Sequence, residues 1–125
     1  MPEISRPKTL PPAMRPKKRY ILFEVISEHP VEYGDISDAL WVSLLELSGE
    51  IGASESRIWM IPDMYDDKRQ AGVIKCSNTS VENVRAALSL VQIISEKRCI
   101  IRVLGVTGTL KSAKAKYIGD ESGLY

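Results

Sequence analysis

The first half of the chain carries the hydrophobic pattern of a buried strand followed by an amphipathic helix. Residues 19–27 (RYILFEVIS) are apolar on both faces, as is typical of a central strand. Asp35 is placed to cap a helix that runs to about Glu50, and Gly49 provides a signal for its end. The apolar stripe of this predicted helix consists of Ile36, Leu40, Leu44, Leu47 and Ile51.

The middle of the chain predicts a hairpin. Residues 55–64 have the composition of a strand, and Pro62 confines that strand to a sheet edge because proline lacks an N–H for the ladder. Residues 65–70 (YDDKRQ) are predicted as a polar hairpin loop, and residues 71–76 as the third strand.

The last third predicts a second helix, a fourth strand and a short basic helix. Residues 79–82 (TSVE) fit a capping box for a helix that ends near Ser95. The apolar, largely β-branched stretch that begins at Arg98 predicts a strand, which turns at residues 105–109 (GVTGT) into a short helix-compatible segment.

The order strand, helix, strand, strand, helix, strand is typical of an α+β, ferredoxin-like (βαββαβ) sandwich. We expect a four-stranded antiparallel sheet with two helices on one face and a short basic C-terminal helix. Residues 1–18 are predicted to be an extended, basic, Pro-rich arm, since five prolines there exclude a helix or a central strand. Residues 19–117 form the predicted domain, and residues 118–125 a short tail.

The net charge of +1 hides a strong segregation of charge along the chain. Residues 1–19 carry six bases and one acid, residues 20–96 five bases and thirteen acids, and residues 97–117 six bases and no acid. Two basic blocks that flank an acidic centre predict one binding face for a nucleic acid. An acidic membrane is a weaker alternative, and terminal bases that merely aid solubility are another.

The two basic blocks supply the candidate site. The candidate polyanion-binding side chains are Arg15, Lys17, Lys18, Arg19, Arg98, Arg102, Lys111, Lys114 and Lys116. Gly105 and Gly108 would let the backbone approach a phosphate closely, next to the amides of a helix that starts near Thr109. The same residues also suit a plain strand-to-helix turn with a threonine cap.

Two surfaces suit protein contact better than base recognition. Trp41 and Leu45 widen the stripe of the first helix, and we take them as candidate contacts for a partner protein. The third strand has no aromatic residue and the first offers only Tyr20 and Phe23, so the base-stacking platform of RNA-recognition motifs is missing. The exposed sheet face is expected to carry aliphatic residues and Arg102.

The sequence contains few residues that could serve in catalysis or bind a metal ion. The single histidine, His29, lies beside a proline in a predicted turn, and no nucleophile–base pair is visible. Acids of the hairpin loop, such as Asp66, are better explained as a solvated turn than as a magnesium cluster. We therefore expect no catalytic residue, metal site or cofactor in this chain, which favours a non-catalytic RNA-binding or scaffold subunit.

The two cysteines, Cys76 and Cys99, lack CxxC spacing, so a zinc site lacks ligands. We expect them two strand spacings apart, roughly 9–10 Å, which is too far for a disulfide. No apolar run approaches the ~20 residues of a membrane span, and no secretory signal is visible. A reduced, cytoplasmic protein is expected.

The segments LPPAMRPKKRYILFEV at 10–25 and RVLGVTGTLKSAKAKY at 102–117 resemble the archaeal ribonuclease P protein component 2 family. DISDALWVSLLELSGEIG, GVIKC and VENVRAALSLV are also similar to that family, so that the resemblance spans about residues 10–117. It implies a protein subunit of the ribonucleoprotein that removes the 5′ leader from precursor tRNA. In that assembly the RNA, with Mg²⁺, carries the chemistry.

The resemblance also implies partners. These are the ribonuclease P RNA, protein component 3 and the other protein components, with precursor tRNA as substrate of the holoenzyme and a homodimer of this chain within a heterotetramer. By position, the resemblance assigns Arg15, Lys17, Lys18, Arg19, Lys111, Lys114 and Lys116 to RNA backbone contact. The alternative is a ferredoxin-like regulatory module that senses a small molecule, or a scaffold module.

Overall fold

The computed structural model describes residues 17–115, which form a five-stranded antiparallel sheet and three helices. The strands are β1 (Lys18–Ser27), β2 (Trp59–Met60), β3 (Ala71–Ser77), β4 (Ile93–Ile94) and β5 (Lys97–Thr107). The helices are α1 (Tyr33–Ser56), α2 (Val81–Leu90) and α3 (residues 110–115). The sheet order is β2-β3-β1-β5-β4. The α+β class is confirmed, but the sheet has five strands instead of the predicted four.

β1 occupies the centre of the sheet because its side chains are apolar on both faces. It pairs antiparallel with β3 on one side and with β5 on the other. Ile21, Phe23 and Val25 point toward the main core, where they pack with buried residues of α1 and α2. Leu22 points to the opposite face and is also fully buried. Both faces of the sheet are therefore covered at this position.

α1 is longer than predicted, and Gly49 bends it where we expected an end. The helix begins at Tyr33 instead of Asp35 and continues to Ser56. Gly49 has φ 77° and ψ 174°, a conformation that glycine adopts readily and other residues do not, so the chain kinks and then resumes its helix. After Leu44 the predicted apolar stripe leaves the core, and Ile51 is 76% exposed.

β2 and the start of α2 also differ from prediction. The edge strand has only two residues, because Pro62 begins a short 3₁₀ turn (Pro62–Met64) in place of further ladder pairing. The predicted capping box does not form at α2. Instead, the Ser77 side chain accepts a hydrogen bond from the Thr79 amide at 3.4 Å, in a 3₁₀ turn (Asn78–Ser80) that leads into the helix.

The predicted end of the second helix near Ser95 is wrong. α2 stops at Leu90, and Ile93–Ile94 forms β4, which pairs with Lys97 and Arg98 of β5. The tight turn between these strands places Ser95 (φ 50°) and Glu96 (φ 66°) in the left-handed region. Positive φ at both positions is typical of a type I′ hairpin turn, where asparagine and glycine are preferred. Ser95 and Glu96 are neither, so the sequence gives no turn signal here.

β5 continues past the predicted turn at Gly105 and contains a bulge. Leu22 pairs with Gly105 while Phe23 pairs with Val103, so Leu104 is an extra residue between them. As a result Val103 and Val106 both face the main core, whereas Leu104 packs on the opposite face. Gly105 therefore lies inside the strand, paired with β1, and not in a turn.

The face of the sheet opposite α1 and α2 carries a second, smaller core. Leu22 and Val73 pack there with Met64 and with Ala113 of α3, which is fully buried. This end of the face is covered, contrary to the expectation of an open aliphatic face. At the other end Ile26 and Ile100 are 50% and 65% exposed.

The two cysteines are free and buried, and they lie farther apart than predicted. Cys76 pairs with Arg19 and Cys99 with Ser27, eight positions along β1, which is roughly 26 Å of strand. Burial raises the pKa of the Cys76 thiol to about 11 and also raises the pKa of Cys99. Within residues 17–115 no helix is long and apolar enough to cross a membrane.

Candidate nucleic-acid interface

A cleft of about 950 Å³ opens at the end of the sheet where β1 begins and β3 ends. Its described lining contains no aspartate or glutamate. It contains five cationic side chains, which come from three separate parts of the chain: Lys17, Lys18, Arg19, Arg57 and Lys75. We call this feature the cationic cleft.

Strand pairing holds the first cations in place. Lys18 and Arg19 pair with Ser77 and Cys76 of β3, and the Lys17 carbonyl accepts a hydrogen bond from the Asn78 amide at 2.9 Å. The backbone that carries these three cations is thus fixed to the sheet at the mouth of the cleft.

Arg57 enters the cleft from the end of α1. It caps the helix in the left-handed conformation (φ 51°, ψ 45°), where its amide donates to the Ser54 carbonyl at 3.2 Å. Glycine is the usual residue at this position, since a side chain costs about 1–2 kcal/mol there. The chain reverses sharply after Ser56 and continues into β2. The exposed side chain of Arg57 lines the cleft.

Lys75 sits in the middle of a row that crosses the sheet. It pairs with Trp59 of β2 on one side and with Tyr20 of β1 on the other. Neighbouring residues in such a row have side chains on the same face. The cleft therefore combines cations with two aromatic residues.

The segment that enters α3 closes the cleft from the β5 side. Gly108 and Thr109 belong to its lining, and the position that a Cβ would take at Gly108 lies 3.9 Å from Nη1 of Arg19. The Thr109 hydroxyl accepts a hydrogen bond from the Ser112 amide at 3.0 Å, which is the predicted threonine cap. The first and last basic blocks of the sequence therefore meet here.

Among residues 17–115, no carboxylate lines the cleft beside its cations. Arg102 and Glu24 form a salt bridge, but that pair lies on another part of the sheet. Arg19 donates from Nη1 to the Lys18 carbonyl at 2.9 Å and has no acidic partner among residues 17–115. Like charges held in a concave surface raise the local concentration of a polyanion.

The structure brings some of the predicted residues together and separates others. Lys17, Lys18, Arg19 and Gly108 line the cleft. Lys111 and Lys114 are exposed on α3 and do not line it, while Arg98, Arg102 and Gly105 lie elsewhere on β5. Arg15 and Lys116 lie outside the described residues.

Sequence reasoning missed Arg57, Lys75, Trp59 and Tyr20 as parts of the site. Arg57 and Lys75 are isolated bases inside the acidic centre of the sequence, so charge segregation directs attention away from them. The available signal was the predicted hairpin. Pairing its two strands beside the first strand would have placed Trp59, Lys75 and Tyr20 in one row.

The other predicted sites give mixed results. Trp41 is 39% exposed on α1, whereas Leu45 is partly buried against the main core of this chain. The Asp66 carboxylate accepts hydrogen bonds from the amides of Lys68 and Arg69, at 2.9 and 3.3 Å, as in a solvated turn. No group of three or more potential metal-binding side chains (His, Cys, Asp or Glu) occurs in the described segment.

The sequence of this chain is similar to those of known proteins. The model of the Rpp14/Pop5 family matches residues 19–118. The chain is 43% identical to ribonuclease P protein component 2 of Pyrococcus furiosus over 115 residues, which covers 92% of this chain and 94% of the relative. It is 36% identical to the protein of the same name from Methanocaldococcus jannaschii, over 90% of this chain and 81% of the relative.

The fold has a solved counterpart as well. A chain in a cryo-EM structure of yeast ribonuclease MRP superposes with a TM-score of 0.62, covering 94% of this chain and 96% of that one, at 12% identity. That likeness concerns the fold alone. The family match and the relatives together confirm the resemblance seen in the basic segments: this chain belongs to the Rpp14/Pop5 family.

Proposed function

We propose that this chain works in ribonuclease P by binding the RNA of the complex at the cationic cleft. The chain is a protein subunit of that ribonucleoprotein, and the alternative of a small-molecule-sensing regulatory module is not favoured. The observation that carries the proposed role of the cleft is its set of five cations with no carboxylate in the described lining. Removal of the 5′ leader from precursor tRNA is a reaction of the RNA, supported by this protein.

The cleft acts on the RNA by electrostatics. Each phosphate that a lysine or arginine neutralises releases condensed counterions, which makes binding favourable and dependent on salt. Neutralised phosphates also repel one another less, so RNA segments can pack closely around the Mg²⁺ that supplies the metal-ion chemistry of the RNA. Lys111 and Lys114, exposed on α3 beside the cleft, extend this basic surface.

Protein partners would use another surface. Protein component 3 and the other protein components are the proposed partners, with two copies of this chain in a heterotetramer. Exposed apolar residues on α1, among them Trp41, Val42 and Ile51, support a contact on that helix. The cytoplasm is the proposed location, and precursor tRNA is the proposed substrate of the whole assembly.

The topology supports a finer description of the fold. We infer a ferredoxin-like arrangement to which β4 adds an edge strand. Leaving out β4, the order β2-β3-β1-β5 is the order that two βαβ units produce when their crossovers are right-handed.

A matched pair of double variants tests the role of the cleft. Arg57→Ala with Lys75→Ala removes one arginine and one lysine from the cleft. Arg85→Ala with Lys68→Ala removes the same charges from exposed positions on α2 and the hairpin loop. Binding of the full chain to ribonuclease P RNA is measured across a range of salt concentrations.

We expect the cleft variant to bind more weakly and to lose about 0.7–0.9 units of salt slope for each phosphate contact removed. The control variant should keep the slope of the unaltered protein. Cleavage of precursor tRNA by the reconstituted holoenzyme should fall in parallel with binding. Equal slopes for the two variants would remove the cleft from the RNA interface.

A further inference from the structure

Trp59 is an exposed tryptophan within the cationic cleft. Its side chain is 63% exposed, whereas its neighbours Ile58 and Met60 are partly buried and pack against the main core. The alternation of β2 thus directs the two aliphatic neighbours inward and the indole outward. Folding gains little from an indole in this position, which makes its large apolar surface available to a ligand.

The row across the sheet gives this indole its surroundings. Trp59 pairs with Lys75, and Lys75 pairs with Tyr20, so the two aromatic residues stand about 9–10 Å apart on one face with a cation between them. Tyr20 is partly buried against the smaller core, and this anchors one end of the row. Arg57 precedes Trp59 by two residues and lines the same cleft.

An exposed aromatic ring beside cations fits the chemistry of a single-stranded nucleotide. Every base has a flat π-face that stacks on indole, while the phosphates on either side of it bind lysine and arginine. Bases inside an RNA duplex are stacked on one another and cannot reach such a ring, whereas those of loops and bulges can.

We propose that Trp59 stacks on an unpaired base of RNA whose neighbouring phosphates lie on Arg57 and Lys75. This inference rests on the proposed role of the cleft and adds a class of ligand to it: a single-stranded segment, bound without regard to its sequence. The expectation that the sheet lacks a stacking platform considered the first and third strands and not the edge strand, where Trp59 lies.

Fluorescence can test this in the full chain. The protein has two tryptophans, so a Trp41→Phe background leaves Trp59 as the source of indole emission. Titration with a single-stranded uridine hexanucleotide should quench that emission, since a stacked base quenches indole. The affinities of Trp59→Phe and Trp59→Ala are then measured for the hexanucleotide and for a twelve-base-pair RNA duplex.

Trp59→Ala should bind the hexanucleotide about 5- to 150-fold more weakly, the range expected for one stacked base. Trp59→Phe should keep most of that affinity, and both variants should bind the duplex as the unaltered protein does. Ile100→Ala, which removes an exposed apolar side chain outside the cleft, should change neither affinity.

Two results would overturn the proposal: an unchanged hexanucleotide affinity in Trp59→Ala, or an equal loss for hexanucleotide and duplex. Either result leaves the electrostatic role of the cleft standing if the variant lacking Arg57 and Lys75 still binds RNA poorly. If that double variant binds both RNAs normally, the proposed function itself fails.

Discussion

Arg57 combines a left-handed backbone with a cationic side chain in the cleft, and substitution can separate these two properties. In Arg57→Gly the backbone strain disappears together with the charge. A residue other than glycine loses about 1–2 kcal/mol in this conformation. Glycine gives back about 0.5–1 kcal/mol through its greater freedom in the unfolded chain. The variant should therefore be more stable by about 0.5–1 kcal/mol, which corresponds to a rise of roughly 2–4 °C in Tm.

The same variant should bind RNA less well. Arg57 is exposed, lines the cleft and has no carboxylate partner among the described residues, so its loss removes one phosphate contact. The salt slope of binding to ribonuclease P RNA should fall by about 0.7–0.9. A gain in stability together with a loss of function is the expected signature of a residue whose side chain serves binding.

Two further variants separate the contributions. Arg57→Ala keeps the unfavourable backbone and loses the charge, so it should show the same loss of RNA affinity with stability within about 0.5 kcal/mol of the unaltered protein. Glu96→Gly relieves a left-handed residue (φ 66°) in the β4–β5 turn, outside the cleft. It should gain stability and leave RNA binding unchanged.

Thermal unfolding followed by circular dichroism and salt-dependent RNA binding check both halves of this prediction. A fall in Tm for Arg57→Gly would refute the argument from the backbone. An unchanged salt slope in both Arg57→Gly and Arg57→Ala would refute the argument that the guanidinium contacts a phosphate.

Two more predictions concern the scaffold. Gly49→Ala should destabilise the protein by about 1 kcal/mol or more, because φ 77° at the kink of α1 excludes a side chain; Gly34→Ala, with open space around it, should change Tm little. Burial raises the pKa of Cys76 to about 11, so the folded protein holds the thiol proton more tightly than the unfolded chain does. This contribution to the free energy of unfolding is complete below about pH 9 and is lost as the pH rises toward 11. The difference in the free energy of unfolding between the unaltered protein and Cys76→Ala should therefore change between about pH 9 and pH 11 in denaturant titrations, with the unaltered protein losing stability relative to the variant. Parallel pH profiles across that range would contradict the assignment.

The elements that could be predicted from the sequence are those with a strong local pattern. The first strand is a short, nearly continuous apolar run, and the stripe from Ile36 to Leu44 has the spacing of one helix face. The kink at Gly49 could not be told from a helix end, because glycine favours both. The hairpin at Ser95 and Glu96 has no turn glycine, and the bulge at Leu104 follows from pairing with β1, so neither leaves a local signal.

The candidate site divides in the same way. Lys17, Lys18 and Arg19 belong to a run of bases that any charge analysis detects, and Gly108 lies in the other basic block. Arg57 and Lys75 are distant from both along the chain; the end of α1 brings Arg57 into the cleft, and strand register brings Lys75 there. Residues that meet by pairing across a sheet can be identified from the strand topology, but not from the composition of the chain.

Net charge is a poor guide to what this protein can bind, because its charges are arranged in two different ways. Arg102 is paired with Glu24 on the open part of the sheet, so its charge has an acidic partner within the molecule. The cations of the cleft repel one another and have no such partner in the described chain, although the ladder of β1 and β3 holds the backbone of Lys18, Arg19 and Lys75 in place. This repulsion is already present in the free protein. A phosphate bound there would be attracted by the cations and would also reduce the repulsion between them. A net charge of +1 is therefore compatible with a local cationic surface at one end of the sheet that attracts a polyanion.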